Sequence, residues 1–363
     1  MYTQKDTHFF LSANAPAGFY SLFDQLVNPY TDDTLYILKG GPGSGKSSFL
    51  NTIAEGLSQA GLAVEYIHCS ADADSLDAIY IPALKTAYAD GTAPHVIEPK
   101  YVAVMERYLN TGAFYDADSL KPHKEKIIHL TKTYKSLYAR AYDCIAAAGS
   151  ISRELSSHLV DDGVIAAVKK RARGIIAREI GKKSGKPGRE KRRFLSALTA
   201  QGYVNRFDTV EALADRVYHL DNNMGLSHYM ITDLLEAAIA AGHDCILCPA
   251  PLNPNQLEHL CIPALSLAFV SSNYQTQYTG PFYRHIRLDA MAEGERLKSH
   301  KAKIRFSKKI FHLLIGEAVT ALADAKAVHD QLEGIYNPHM DFPALYRLAQ
   351  THLAALLEKA QSA

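Results

Sequence analysis

The chain has 363 residues, of which 47% are hydrophobic and 21% charged, and its formal net charge at pH 7 is +1, as in an ordinary globular protein. No apolar run approaches the ~20 residues that a transmembrane helix needs, which excludes helical membrane spans and predicts no membrane partner. The five cysteines lack regular spacing and the first residues lack a signal-peptide pattern, so we expect a reduced, cytoplasmic protein without a disulfide framework.

The first predicted elements are a strand, a glycine-rich loop and a helix. "LYIL" (35–38) is a short apolar strand, and "SSFLNTIAEGLSQAG" (47–61) has the pattern of an amphipathic helix. The loop between them matches G-x-x-x-x-G-K-[ST], the P-loop pattern, in the strand–loop–helix context that it requires. The predicted nucleotide-binding residues are Gly40, Gly41, Pro42, Gly43, Ser44, Gly45, Lys46, Ser47 and Ser48.

Each residue type in this motif has a physical role in binding a nucleoside triphosphate. Glycines let the backbone wrap around phosphate oxygens, and the following helix directs its partial positive charge at them. Lys46 would contact the β- and γ-phosphates as a catalytic residue, and the Ser47 hydroxyl would ligate the metal. The sequence therefore predicts ATP and Mg²⁺ as cofactors.

Two more strands are predicted in this half, "AVEYIHC" (63–69) and "TAYAD" (86–90), and the second ends at Asp90. A P-loop site needs an acidic side chain at the end of a neighbouring strand, so Asp90 is the candidate catalytic and metal-binding carboxylate. The alternative is an Asp that starts a turn before Gly91. Since a glycine and not a glutamate follows, the pattern favours kinase-like chemistry over motor-type ATPases.

A second acidic cluster lies in "HCSADADSLD" (68–77). Asp72 and Asp74 are candidates for holding a water of the Mg²⁺ shell or for acting as general base, and the alternative is capping of a following helix. His95, in "TAPH", is a candidate for phosphate contact or proton transfer, or else a structural loop residue.

Residues 169–193 hold 12 Lys and Arg and two Glu. Such a run can bind nucleic acid, but Lys, Gly, Ser and Pro together are more typical of a solvated linker. We favour the linker, because the run lies near the middle of the chain and no aromatic residues alternate with the charges.

Several short sequence segments occur twice, in the same order. "IPAL" is repeated 181 residues apart, "FLSA" occurs at 10–13 and 194–197, and "LKPHKEKI" (120–127) corresponds to "LKSHKAKI" (297–304). The chain is thus predicted to be a tandem duplication with domains at 1–185 and 186–363. Because strands alternate with helices in each half, we expect α/β domains with parallel sheets, two tandem P-loop NTPase-like folds.

The second half keeps its apolar positions and loses its polar ones. With an offset of 182 or 181, its loop reads "NNMGLSHY", a degenerate phosphate loop. The aligned pairs are Gly40 with Asn222, Gly43 with Gly225, Gly45 with Ser227, Lys46 with His228, Ser47 with Tyr229, Ile53 with Leu235, Leu57 with Ile239, Asp72 with Asn253, Asp74 with Asn255, Asp90 with Ser271 and His95 with Thr276.

On "GGPGSGKSS", "HCSADADSLDAIYIPAL", "DGTAPH" and "RRFLSALTAQGYV", the chain resembles a poorly characterised bacterial family of tandem P-loop proteins, labelled ATPase or nucleotide-kinase-like. The resemblance extends over nearly the whole length and implies ATP binding without a substrate. Relatives tend to carry a second recognisable P-loop where this chain has "NNMGLSHY".

These observations predict an Mg·ATP-binding protein, an ATPase or a kinase-like phosphotransferase with an unknown acceptor or protein partner. The alternatives are a nucleotide-dependent binding module with negligible turnover and a nucleic-acid-associated ATPase. Arg284 or Arg287, in "GPFYRHIRL", is a candidate for an arginine supplied to the first site by the second half.

Overall fold

The computed structural model describes residues 5–182, 185–292 and 299–362. Four positions that the sequence patterns include, Lys183, Ser184, Leu297 and Lys298, lie outside the described residues. None of the described helices is both long enough and apolar enough to cross a bilayer.

Sixteen strands and eight α-helices make up the described part. The strands are β1 (Thr7–Phe10), β2 (Ser12–Ala15), β3 (Gly18–Ser21), β4 (Thr34–Lys39), β5 (Glu65–His68), β6 (Leu76–Ile81), β7 (Thr86–Asp90), β8 (Glu106–Asn110), β9 (Glu190–Arg192), β10 (Ser196–Thr199), β11 (Gly202–Asn205), β12 (Arg216–Asp221), β13 (Cys245–Ala250), β14 (Asn253–Ile262), β15 (Leu267–Ser272) and β16 (Arg284–Ile286). The α-helices are α1 (Lys46–Gln59), α2 (Ala117–Leu120), α3 (Lys124–Leu159), α4 (Asp162–Glu179), α5 (Asp208–Leu213), α6 (Ser227–Ala240), α7 (Lys301–Tyr336) and α8 (Phe342–Gln361).

Twelve of the strands form two six-stranded sheets with the same topology, flanked by helices, and the other four form two-stranded sheets, β2-β3 and β10-β11. The first has the order β1-β5-β6-β7-β4-β8, and the second has the order β9-β13-β14-β15-β12-β16. Residue pairing agrees as well, since His68 pairs with Leu76 and Pro249 pairs with Leu257, each 181 residues further on. The α/β class is confirmed, and the arrangement is compatible with two tandem domains.

The prediction of parallel sheets is wrong, because each sheet is mixed. β6 and β14 run antiparallel to both of their neighbours. The reason is the "IPAL" segment, which forms a short 3₁₀ turn in both halves, Pro82–Leu84 and Pro263–Leu265. A turn of this length can join only antiparallel strands, since a parallel crossover needs a dozen or more residues.

The two halves exchange helices. The first-half helix α4 packs on α6 of the second half, where Val168 and Ala172 share a buried cluster with Met230. The C-terminal helix α8 packs on α1 of the first half, and α3 packs along α7. The sequence boundary near residue 185 therefore marks the repeat, while each sheet is covered by a helix from the other half.

The two sheets also share one buried core. Phe10 and Phe194 exchange two backbone hydrogen bonds of 2.9 Å each, which join the two "FLSA" segments. Around them, Phe9 and Leu11 lie in the same hydrophobic cluster as Leu195 and other second-half residues. The two "FLSA" segments thus lie at the contact between the two copies, as in a symmetric dimer interface.

The linker interpretation of residues 169–193 is wrong for most of that range. Residues 169–179 belong to α4, and β9 pairs in parallel with β13. Arg193 is 0% exposed and its Nε donates to Glu65 Oε1 over 2.6 Å. Many of these basic residues therefore belong to packed elements that connect the two halves.

Candidate functional site

The glycine-rich segment, called the phosphate loop (residues 40–45), connects β4 to α1 as predicted. Gly43 and Gly45 have φ of 69° and 71°, in the left-handed region that favours glycine. The buried Ser44 accepts a hydrogen bond from Thr111 Oγ1 over 3.2 Å, which fastens the loop to the segment after β8. The phosphate loop is therefore a turn that leads directly into the N-terminus of α1, a helix of 14 residues.

Lys46 and Asp90 lie next to each other at the carboxyl ends of β4 and β7, which are adjacent parallel strands. Lys46 Nζ is 3.6 Å from Asp90 Oδ2, and it donates to the carbonyl oxygens of Gly40 and Gly41 over 3.0 and 2.9 Å. Asp90 Oδ1 accepts from both the backbone N and the Oγ1 of Thr92, at 2.8 and 2.6 Å. Asp90 thus shapes the turn with one oxygen and faces the lysine with the other.

The two serines after Lys46 differ in their surroundings. Ser47 Oγ accepts a hydrogen bond from the backbone N of Leu76, the first residue of β6, over 3.0 Å. A hydroxyl oxygen has a second lone pair, so this contact leaves Ser47 able to ligate a cation. Ser48 is exposed on the first turn of α1.

Residues of the second half contact the phosphate loop directly. Gly43 N donates to Glu333 Oε1 over 3.3 Å. A Cβ added at Gly43 would lie 2.3 Å from Asn337 Oδ1, and one added at Gly45 would lie 2.5 Å from Leu345 Cδ2. The end of α7 and the start of α8 thus lie against the loop, which sequence reasoning missed because these residues are almost 300 positions away.

The proposed arginines lie elsewhere. Arg284 is an exposed residue of β16, at the edge of the second sheet, and its guanidinium carbon lies 5.1 Å from the ring centre of Tyr283. Arg287 follows β16 and is exposed too. Among the described residues, the second-half side chains at the loop come from α7, α8 and the turn between them.

Asp72 and Asp74 both contact the second half. Asp72 Oδ2 lies 3.4 Å from Lys326 Nζ on α7, and Asp74 Oδ2 accepts from Gln201 Nε2 over 2.8 Å. The helix-capping alternative is wrong, because strand β6 and not a helix comes after this segment. Both carboxylates therefore lie at the contact between the two halves, beside the start of β6.

His95 is buried beside Asp77, with Nε2 3.1 Å from Asp77 Oδ2. The rings of Phe19 and Phe23 lie 5.0 and 4.9 Å from the imidazole. Burial alone would lower the pKa of His95, but the charge of Asp77 outweighs it and raises the pKa above its ordinary value. His95 is therefore a buried residue of the loop after β7 and forms a polar pair with Asp77.

The loop of the second half is one residue shorter than the phosphate loop, so the sequence pairing of the helices is wrong by one position. Five residues (222–226) precede α6, whereas six (40–45) precede α1. The backbone N of Leu76 donates to Ser47 Oγ, and that of Leu257 donates to His228 Nδ1. Lys46 therefore corresponds to Ser227, which offers a hydroxyl where the first half has an ammonium group.

The corrected pairing also agrees with burial along the helices. With an offset of 181, each buried residue of α1 aligns with a buried residue of α6: Phe49 with Met230, Leu50 with Ile231, Ile53 with Leu234, Ala54 with Leu235 and Leu57 with Ala238. The two helices thus present the same faces to their sheets. At their N-termini, Lys46 of α1 is replaced by Ser227 of α6.

A cavity of about 340 Å³ opens beside the degenerate loop of the second half. Its wall includes Asn222, Gln256, Glu258, Asn273 and Tyr274. The wall also includes two cationic side chains, Arg153 of α3 and Lys308 of α7, which lie outside the loop. The second half therefore keeps a cavity beside its loop, while the loop itself has a serine at the position of Lys46.

No protein-family model, no curated protein and no solved structure matches the chain. The family resemblance drawn from the motifs accordingly stays a prediction. The geometry of the described residues is therefore the basis for assigning a function.

Proposed function

We propose that the first half binds Mg·ATP and that the protein either hydrolyses it or transfers its γ-phosphoryl group to an acceptor. One observation carries the proposal: Lys46 Nζ lies 3.6 Å from Asp90 Oδ2, at the point where a glycine loop opens onto the N-terminus of α1. This combination of backbone N–H groups, an ammonium and a carboxylate is what phosphate and Mg²⁺ together need.

The geometry of the loop supports its ability to hold an anion. Gly43 N donates to a carboxylate oxygen of Glu333, so a negatively charged oxygen lies against the loop. Lys46 donates to the loop carbonyls of Gly40 and Gly41, within reach of the same opening. A β- or γ-phosphate would replace these weaker acceptors of the lysine, because charge-assisted hydrogen bonds are about twice as strong as neutral ones.

The residues have separate roles in this proposal. The loop amides and Lys46 bind and orient the phosphates, and Ser47 with Asp90 holds the metal ion or its water. Mg²⁺, when bound with ATP, supplies neutralisation of the charge that develops on the transferred phosphoryl group. Asp72 and Asp74 precede β6, whose first residue contacts Ser47, and in this proposal one of the two carboxylates accepts the proton of an attacking water or hydroxyl.

The second candidate function is a nucleotide-dependent binding module with negligible turnover. It is favoured by the contacts of Glu333 and Asn337 with the phosphate loop, since a nucleotide there must move side chains of the second half. A nucleic-acid-associated ATPase has less support, because Arg193 is buried against Glu65 and α4 is packed on α6.

The deciding experiment compares wild type with Lys46→Ala for Mg·ATP binding by calorimetry and for phosphate release. We expect Lys46→Ala to abolish both and to leave the circular dichroism spectrum unchanged. His228→Ala, in the first turn of α6, is the matched control and should bind and turn over ATP like wild type. Binding without phosphate release, and without labelled product from γ-labelled ATP and candidate acceptors, would favour the module. Equal Mg·ATP affinities of Lys46→Ala and His228→Ala would overturn the proposal.

A further inference from the structure

Three side chains of different chemistry meet in the interior of the first half. Cys69 follows β5, Asp77 lies in β6 and His95 lies in the loop after β7. The Cys69 sulfur, a carboxylate oxygen of Asp77 and a ring nitrogen of His95 all lie within 4.8 Å of one another. Because β5, β6 and β7 are neighbours in the sheet, the fold brings together three residues that are up to 26 positions apart.

Two polar atoms of this cluster lack a hydrogen bond, while the Cys69 sulfur accepts one from the backbone N of Ala71 over 3.4 Å. Asp77 and His95 are 5% and 6% exposed, and Asp77 Oδ2 and His95 Nδ1 have no hydrogen-bond partner among the described residues. Asp77 Oδ2 lies 3.1 Å from His95 Nε2 but is not aligned for a hydrogen bond. Buried polar atoms that lack a hydrogen bond are costly, and the short distance between Asp77 and His95 is also the arrangement of two ligands of one cation.

From these contacts we propose that Cys69, Asp77 and His95 form a binding site for Zn²⁺. In a tetrahedral zinc site the ligand atoms are roughly 3.3–3.8 Å apart, so the cluster needs to contract by only about 1 Å. Three protein ligands leave the fourth position for water or another ligand. This site shares no ligand with the Mg²⁺ site proposed at Ser47 and Asp90.

The mixture of donor atoms decides which metal the site takes. Sulfur, nitrogen and oxygen together suit Zn²⁺, which is of borderline softness, while Mg²⁺ takes oxygen ligands and holds on to water. The alternative of a cysteine nucleophile activated by His95 does not fit, because burial and the nearby Asp77 carboxylate raise the pKa of the Cys69 thiol and keep it protonated. Binding of a zinc ion would release that proton.

The second half offers an internal comparison. The strand pairing aligns Cys69 with Ala250 and Asp77 with Glu258, and the sequence repeat aligns His95 with Thr276. Glu258 is satisfied there, since its Oε1 accepts from Asn273 Nδ2 over 2.6 Å. Thiol and imidazole are thus replaced together, as expected for two ligands of one ion.

The test titrates Co²⁺ into the full-length protein after removal of metals with a chelator. Tetrahedral Co²⁺ bound to a thiolate gives visible bands and a near-ultraviolet sulfur-to-metal band, which Zn²⁺ should abolish at one equivalent. We expect Cys69→Ser to lose the sulfur band, and His95→Gln and Asp77→Asn to weaken Zn²⁺ binding at least tenfold. Absence of the bands in wild type, or an unchanged sulfur band in Cys69→Ser, would overturn the proposal.

Two controls address other ligands. Cys144→Ser removes a different free cysteine and should leave the spectrum unchanged. His329→Asn alters the cluster of His329, Asp330 and Glu333 on α7 and should also leave Zn²⁺ affinity unchanged. A loss of Zn²⁺ binding in His329→Asn alone would place the metal there and refute the site at Cys69.

A measurement on wild type guards against variants that fail to fold. Zn²⁺ should slow alkylation of Cys69 at least tenfold, as followed by mass spectrometry, and leave alkylation of Cys144 unchanged. An alkylation rate of Cys69 that does not respond to Zn²⁺ would contradict the proposal. The readout needs no nucleotide, so its outcome is independent of ATP binding.

Discussion

The backbone N–H of Gly43 in the phosphate loop donates a hydrogen bond to the Glu333 carboxylate of the second half, with N and Oε1 3.3 Å apart. This contact joins the proposed nucleotide site to α7, a helix that also packs along α3. A carboxylate in this position competes with phosphate for the same N–H group and repels it.

We therefore expect Glu333→Gln to raise the affinity for Mg·ATP, by roughly five- to tenfold, since about 1 kcal/mol of repulsion is removed. Calorimetric titration measures the effect. Asp324→Asn, an exposed change on the same helix, is the control and should leave the affinity unchanged. An equal or lower affinity of Glu333→Gln would show that the carboxylate does not oppose phosphate.

A second prediction concerns Asp90. In Asp90→Asn the Oδ1 acceptor for Thr92 is kept, so the turn should persist, while the charge that faces Lys46 is lost. We expect turnover to fall roughly 100-fold or more and its Mg²⁺ dependence to weaken, with stability changed by less than about 1 kcal/mol. Steady-state phosphate release across Mg²⁺ concentrations tests this. Glu98→Gln, an exposed acid paired with Lys39, should behave like wild type.

A third prediction comes from the buried contact of Glu65 with Arg193. Burial alone would raise the pKa of Glu65, but the charges of Arg193 and Lys191 outweigh it and lower the pKa from 4.5 to about 2. A carboxyl whose folded-state pKa is depressed stabilises the fold above its unfolded-state pKa. That stability, on the order of 3 kcal/mol, is lost as the pH falls from about 4.5 to about 2.

Glu65→Gln should therefore be less stable than wild type at pH 7. Its free energy of unfolding should also fall less steeply than that of wild type as the pH is lowered below about 4.5. Urea unfolding at a series of pH values measures both effects. The matched control is Glu317→Gln, which removes an exposed carboxylate paired with Arg140. Its free energy of unfolding should depend on acidic pH as that of wild type does. If wild type and Glu65→Gln lost stability in parallel below pH 4.5, the ion pair would not be the cause.

The repeated "IPAL" turns give a fourth prediction. Lys85 and Ser266, which come directly after the two turns, have φ of 48° and 49°, a conformation that costs a non-glycine residue roughly 1 kcal/mol. Lys85→Gly should raise the free energy of unfolding by up to about 1 kcal/mol, because its ion pair with Asp32 is exposed.

Ser266→Gly should bring no such gain, because the Ser266 hydroxyl exchanges two hydrogen bonds with Asp215, at 2.9 and 2.7 Å. Chemical denaturation of both variants tests the contrast. Equal changes in the two variants would mean that backbone strain does not decide the outcome.

The exchange of helices gives a fifth prediction. Leu345 of α8 is fully buried against α1, so Leu345→Ala should destabilise the protein by roughly 2–5 kcal/mol. Because α8 belongs to the second half and α1 to the first, we expect one shared unfolding transition to shift in calorimetry. Leu313→Ala, at a position 57% exposed, should change stability by less than about 0.5 kcal/mol. A split into two transitions would contradict mutual stabilisation of the halves.

The local features of this protein follow from short stretches of its sequence. The strand–loop–helix around Lys46, the strand that ends at Asp90 and the repeated phrases could all be predicted, because each depends on a few consecutive residues or on identity between copies. The position of Asp90 next to Lys46 could be expected from the rule that parallel strands end at the same edge of a sheet.

The way in which the two copies fit together follows from long-range packing in the folded chain. The antiparallel course of β6, the exchange of α4 and α8, and the contact of Glu333 with Gly43 depend on packing between residues far apart in the chain, which no local pattern records. The sequence also did not reveal that the second loop is one residue shorter, because Gly225 aligns with Gly43 when the offset is 182. Burial and hydrogen bonds show that the offset of the two helices is 181. Cys69 became a candidate ligand for the same reason: three adjacent strands bring it to Asp77 and His95.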